Sequence, residues 1–263
     1  MIRNVVDFIG GNPYLFSNFP ILIVTSLIVW RSRRRDIARA AVFSGLACIP
    51  CSLAESTSAA YWHPKLLGGM SWGIESVQFT YVLGVAAWLI AAALQRQSCS
   101  IGIRGVAGVF RRFTPGALSV IVLYILLWQA GVNCVTATLI SPLGFYLYQL
   151  LDRRSLWRLS LAGLAGFVPF YFVVIRVQFA LWPNYISYWN KGGWGTLVFG
   201  VPAGDLAWAA LFGAVWPVAI AWALDVKFEE RASVEEKGWL PAPAETVTGS
   251  PLAQPAVCAE EEQ

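Results

Sequence analysis

Gly73-Ile74-Glu75-Ser76-Val77-Gln78-Phe79 opens an apolar run that continues to Leu94. A carboxylate and an amide thus enter a segment long enough, at about 20 residues, to cross the hydrocarbon of a bilayer. Far downstream, Pro202-Ala203-Gly204-Asp205-Leu206-Ala207-Trp208 opens a second such run, to Leu224. Each stretch sets one acid at the mouth of an apolar helix, with an aromatic three or four residues later. A carboxylate in hydrocarbon costs about 2.5 kcal/mol or more on insertion scales, so it faces a protein interior and serves a function. The two acids predict a membrane helix bundle with a polar site inside it.

The rest of the chain agrees. Of its 263 residues, 57% are hydrophobic and 13% charged, whereas a soluble domain carries about 25% charged residues. The fold class is all-α, a polytopic membrane bundle. Seven apolar runs fit spans, roughly 14–30, 38–57, 72–94, 115–131, 134–151, 157–182 and 197–224. A single helix over 115–151 would be about 55 Å long, far more than a bilayer, so Gly131 and Asn133 mark a hairpin turn. The transmembrane domain covers 1–225. Residues 226–263 are acidic and rich in proline and small residues, a composition that builds no core and predicts a disordered tail.

The net charge of +4 comes from short basic clusters between apolar runs, which gives no nucleic-acid signature. Fifteen of the nineteen Lys and Arg residues fall on one side of the predicted spans. Arg3, Lys65 and Lys191 fall on the other, and Arg176 lies within a span. The positive-inside rule then puts the N-terminus outside and the C-terminus in the cytoplasm of a plasma-membrane protein. The first apolar run is followed by Arg31, Arg33, Arg34 and Arg35, which predicts a retained helix rather than a cleaved signal peptide. Five cysteines form no framework. Cys48 and Cys51 make a C-x-x-C without a second cluster, which predicts small packing residues rather than a redox or metal site.

An internal repeat is legible. Pro50 lies mid-span, Trp62 follows in Tyr61-Trp62-His63-Pro64, and Glu75 enters the next span. Pro169 lies mid-span, Trp182 follows in Leu181-Trp182-Pro183, then Tyr188-Trp189, then Asp205. Each unit predicts a Pro-broken helix, an aromatic external loop and a helix entered by an acid. Both acid-bearing helices run inward, so the units, about 14–94 and 134–224, form a parallel pair. Span 115–131 is the linker that a three-plus-one-plus-three arrangement needs. Glu55 lies seven residues before Trp62, and Arg176 six before Trp182. The expected constellation is Glu55, Glu75, Asp205 and Arg176, with Gln78, Gln178 and His63 nearby. Arg176 is expected to pair with at least one of the three acids, because a buried guanidinium needs a partner.

These residues resemble the integral-membrane lycopene cyclase domain of carotenoid biosynthesis, which comes as paired three-helix units. Its motif is a Pro, one residue, two carboxylates, two residues, then an aromatic. Pro202 to Trp208 fits with Gly204 at the first acid and Asp205 at the second. Gly73 to Phe79 fits with Glu75 at the first acid and Ser76 at the second. The Tyr61-Trp62 and Tyr188-Trp189 pairs also look like this family. The resemblance covers roughly 38–94 and 160–224. This chain keeps one motif acid per half, in complementary positions.

The resemblance implies cyclisation or binding of a carotenoid or isoprenoid polyene, as an intramolecular lyase or isomerase that needs no cofactor. Such a reaction delivers a proton to a carbon–carbon double bond, shields a carbocation from water and removes a proton afterwards. A carboxylic acid in an apolar site is pushed toward its protonated form. A second carboxylate serves as base, and aromatic faces stabilise the cation. Glu75, Asp205 and Glu55 are the candidate catalytic residues. Arg176, Gln78, Phe79, Trp208, Trp62 and Trp182 are the candidate substrate-binding residues. The implied partners are a lipophilic polyene and the lipid bilayer, with homo- or hetero-oligomers both open. A retinal protein is excluded, since none of Lys65, Lys191, Lys227 and Lys237 lies in a span. Two alternatives stand beside the cyclase reading: a small-solute transporter of the same repeat type, with Pro50 and Pro169 as hinges, and a non-catalytic membrane scaffold.

Overall fold

A computed structural model describes residues 9–229 except 33, 70, 71, 96 and 104. The helices are α1 (Pro13–Ser17), α2 (Phe19–Arg31), α3 (Arg35–Cys48), α4 (Ile74–Gln95), α5 (Val106–Gln129), α6 (Cys134–Ile140), α7 (Leu143–Asp152), α8 (Trp157–Leu181) and α9 (Ala203–Ala223). Among the described residues they and their extensions make seven spans apolar and long enough to cross a membrane. All seven overlap the runs read from the sequence. Hydrogen bonding is satisfied within each helix, the arrangement that hydrocarbon demands of a backbone.

Span edges differ from expectation where proline meets the helix. The fourth span begins well before Pro115, which sits inside α5. Ser141-Pro142 divides the fifth span into α6 and α7. The two aligned prolines behave differently. After Cys48 the backbone tightens into a nine-residue 3₁₀ segment, Ile49–Thr57, with Pro50 at its start. Pro50 has no N–H to donate back to Leu46, so the α ladder is interrupted there. Pro169 lies within an unbroken α8, so the helix aligned with the Pro50 break is continuous in the second half. The last span starts only at Ala203, because 197–202 form a hairpin of β2 (Leu197–Val198) and β3 (Val201–Pro202).

The core is α3, α4, α8 and α9. In both α4 and α9, 56% of the apolar window is buried, against 11% in the α5 span, so these two acid-bearing helices are central. Two close crossings hold the four together. A Cβ on Gly84 would lie 2.6 Å from the Ser44 carbonyl oxygen and 2.8 Å from Cys48 Cβ. A Cβ on Gly213 would lie 2.8 Å from the Gly163 carbonyl oxygen and 2.8 Å from Phe167 Cβ. The motif alignment of Gly73 with Pro202 also equates Gly84 with Gly213. The alignment of Pro50 with Pro169 equates Ser44 with Gly163 and Cys48 with Phe167. The same contact therefore recurs in each half. Ser44 links the halves, its hydroxyl donating to the Gly84 carbonyl at 2.6 Å and accepting from the Trp216 indole at 2.9 Å.

A second signature of the repeat closes the acid end of the bundle. Trp62 and Trp189 form an antiparallel β-bridge. The His63 N–H donates to the Tyr188 carbonyl, and the Asn190 N–H to the Tyr61 carbonyl, both at 2.9 Å. Exchanging Tyr61-Trp62-His63 with Tyr188-Trp189-Asn190 exchanges the two bonds, so a local two-fold axis passes through the bridge. Helices α4 and α9 both start at this end, as parallel halves require.

The opposite, basic end is clasped by charge and a small sheet. Strand β1 (Ser98–Ile101) pairs with β4 (Val226–Glu229), so the tail expected from 226 begins as an ordered strand. Residues 230–263 lie outside the described residues. Asp225 has a positive φ of 55° and pairs with Arg153 and Arg112. The Arg153 bond, aided by Arg112 and Lys227, holds its carboxyl below the usual range. Arg112 also lies 4.5 Å over the Trp222 ring, whose indole donates to Asp152.

Candidate functional site

Three carboxyl groups gather at the acid end. Glu75 and Asp205 lie in the first turns of α4 and α9, and both are buried. Glu55 comes from the 3₁₀ segment. Each has one oxygen held and one free. Glu75 Oε1 accepts the Leu67 N–H at 2.7 Å, and Glu55 Oε1 accepts the Tyr14 hydroxyl at 2.7 Å. Asp205 Oδ1 accepts the Tyr61 hydroxyl at 2.8 Å and the Trp189 indole N–H at 3.3 Å. Glu55 Oε2, Glu75 Oε2 and Asp205 Oδ2 are buried with no hydrogen-bond partner among the described residues. Ser76 Oγ, Gln78 Nε2, Gln178 Oε1 and Trp62 Nε1 share that condition at this end.

The complementary motif departures have a local cause. Gly204 stands at the first acid position of the second half, and a Cβ there would lie 2.7 Å from the Tyr61 hydroxyl. The phenol of the other half occupies the room. In the first half, Ser76 stands at the second acid position, and Glu55 lies beside it. A carboxyl from the preceding span thus reaches the place that the motif leaves empty. Gly73 has its own reason, since Glu75 Oε2 lies 2.5 Å from where its Cβ would be.

Aromatic rings wall the site. Trp62 lies 4.9 Å from Tyr14, 6.1 Å from Phe79 and 5.8 Å from Trp189, centroid to centroid. Trp189 meets Phe179 and Tyr185, and Trp182 packs into the same cluster. The Tyr61 hydroxyl is pushed well above the usual phenol range, first by burial and then by the Asp205 charge. Tyr185 is raised in the same way, by burial above all, with Asp205 and Glu55 both adding to it. Both phenols therefore remain donors across the physiological range.

Arg176 does not join the acids. It is exposed and forms no ion pair among the described residues. Its guanidinium lies against Gly200 in the turn of the β2–β3 hairpin. Helix phase is the reason: Ile175 and Gln178 of α8 are buried, and the residue after Ile175 is turned about 100° away. The phenol of Tyr14 takes the partner role expected of it. Trp208 also departs, stacking on Phe212 at 4.7 Å and meeting Tyr171 in the α8–α9 seam. His63 is exposed and contributes its backbone to the bridge. The sequence gives no sign of a role for Tyr14, fully buried in the short α1, because Ser17, Asn18 and Pro20 interrupt its apolar run. The Tyr61 and Trp189 contacts were foreshadowed only by the paired Tyr-Trp dipeptides.

No family model matches the chain, and neither the curated proteins nor the solved structures contain a match. The site must therefore be interpreted from its own chemistry. Among the described residues no group of three His, Cys, Asp or Glu gathers as a metal ion would require. The arrangement offers free carboxyl oxygens, phenol and indole donors, and ring faces. Such a set can deliver a proton, accept one and stabilise a cation between them.

Proposed function

We propose that the protein is a cofactor-independent, lycopene cyclase-like enzyme that binds the end of a carotenoid or isoprenoid polyene and cyclises it by acid–base chemistry. The observation that carries this reading is the set of three carboxyls, Glu75 and Asp205 buried and Glu55 half-buried, each with one oxygen held and one free, against an aromatic wall. Glu55 or Glu75 delivers the proton, and Asp205, oriented by Tyr61 and Trp189, takes one back. An ion-pair network that only locked the helices together would recruit Arg176, which stays outside. A hollow of about 270 Å³ between α2 and α4 is lined in part by Thr25, Val29, Tyr81 and Val85. Tyr81 and Val85 lie about 9 and 15 Å along the helix from Glu75 at 1.5 Å per residue. The positive-inside rule applied to the basic clusters supports an outer N-terminus and an acid end in the outer half of a plasma membrane.

Expression in a lycopene-accumulating host, followed by pigment chromatography, tests the reading. A monocyclic or bicyclic product is expected. Unchanged lycopene, with the protein present in the membrane, would leave the non-catalytic scaffold as the better account.

A further inference from the structure

Cys48-Ile49-Pro50-Cys51 straddles the point where α3 gives way to the 3₁₀ segment. Three residues complete one 3₁₀ turn, so side chains three apart stack on one edge of the backbone. With a rise of about 2.0 Å per residue, the two Cα atoms stand about 6 Å apart. A disulfide bridges Cα separations of roughly 4.4–6.8 Å. The two thiols touch each other, and neither is in a disulfide. Cys48 is buried against α4, while Cys51 opens onto the exterior of the bundle.

Depth decides what can oxidise them. Cys51 lies six residues before the end of its span at Thr57, about 12 Å below the acid end at 3₁₀ rise. Water-borne oxidants do not partition to that depth, whereas a lipid-soluble quinone does. We propose that Cys48 and Cys51 form a redox-active dithiol whose oxidant is a membrane quinone. The two thiols give up two protons and two electrons and join in a sulfur–sulfur bond. The quinone takes up both protons and both electrons and leaves as the quinol. The new bond fixes the eclipsed register of the segment that carries Glu55, four residues beyond Cys51. The pair needs no cyclase chemistry and stands apart from the function proposed above.

The test uses the full chain, reduced and held in phosphatidylcholine nanodiscs, with decyl-substituted benzoquinone as oxidant. Thiols are counted after denaturation with a maleimide mass tag, and quinol by absorbance. Two of the five thiols should disappear for each quinol formed, with peptide mapping giving a Cys48–Cys51 link. Oxidised glutathione should leave Cys48 and Cys51 free. Cys48→Ser and Cys51→Ser should each abolish the loss, and Cys99→Ser should not. Absence of thiol loss with the quinone, equal loss with glutathione, or loss persisting in both serine variants overturns the proposal.

Discussion

At the scale of single residues, the site is organised by donors rather than by an opposing charge. Tyr14 holds one oxygen of Glu55, the Leu67 N–H one of Glu75, and Tyr61 with Trp189 one of Asp205, leaving the other oxygen of each uncommitted. Glu55→Gln keeps the size and the Tyr14 contact but removes the transferable proton. If Glu55 is the general acid, product formation should fall by about 10²-fold or more, with the protein still folded by circular dichroism. Tyr61→Phe strips Asp205 of its shorter hydrogen bond. Thermal unfolding in detergent should show a loss of about 0.5–1.5 kcal/mol, the usual net worth of one hydrogen bond, since Trp189 still donates to the same oxygen. Arg176→Ala should shift stability by no more than about 0.5 kcal/mol, as for other exposed positions. A loss of several kcal/mol would mean that the guanidinium does reach the acids.

At the scale of elements, two devices position the site: the glycine crossings and the 3₁₀ segment. Gly84→Ala and Gly213→Ala place a methyl group against a carbonyl oxygen of the facing helix. Each should destabilise the bundle by about 1–3 kcal/mol through overpacking, read as a lower unfolding temperature. The segment Ile49–Thr57 is longer than the three or four residues usual for its type, a mark of strain or a hinge. Going from 120° to 100° per residue over the five steps from Pro50 to Glu55 would swing that carboxyl about 100° and draw it in about 2.5 Å. Pro50→Ala, which restores the missing N–H, should therefore cost activity more than stability. At the basic end, the partners of Asp225 lower its affinity for protons in the folded state. Its contribution is complete above the ordinary carboxylate value near 4 and is lost as pH falls through the lower folded value. Asp225→Asn should remove that acid-side component from a plot of unfolding temperature against pH.

For the whole molecule, the spans were legible because runs of about 20 apolar residues have few other destinations. Of the predicted order of proline, aromatic and acid, the aromatic loops meet in the Trp62–Trp189 bridge and both acids open helices, whereas the two prolines behave differently. Its orientation is open to a direct check: cysteine labelling from outside should reach a site engineered near Lys65 and miss one near Arg104. What the sequence concealed depends on rotation about helix axes. Whether position 176 faces in or out turns on one residue of phase, and whether Pro50 ends α geometry depends on neighbours that only the bundle supplies. The strand in the supposed tail was hidden because its partner lies more than a hundred residues earlier. The Trp62–Trp189 bridge carries one more consequence. Two hydrogen bonds that trade places when the halves are swapped can be made just as well by two identical short chains. A gene encoding one half would have yielded a self-pairing dimer with this same seam. Fusion would then free each copy to mutate alone, and the complementary acids of the two motifs are the kind of division of labour that such freedom allows.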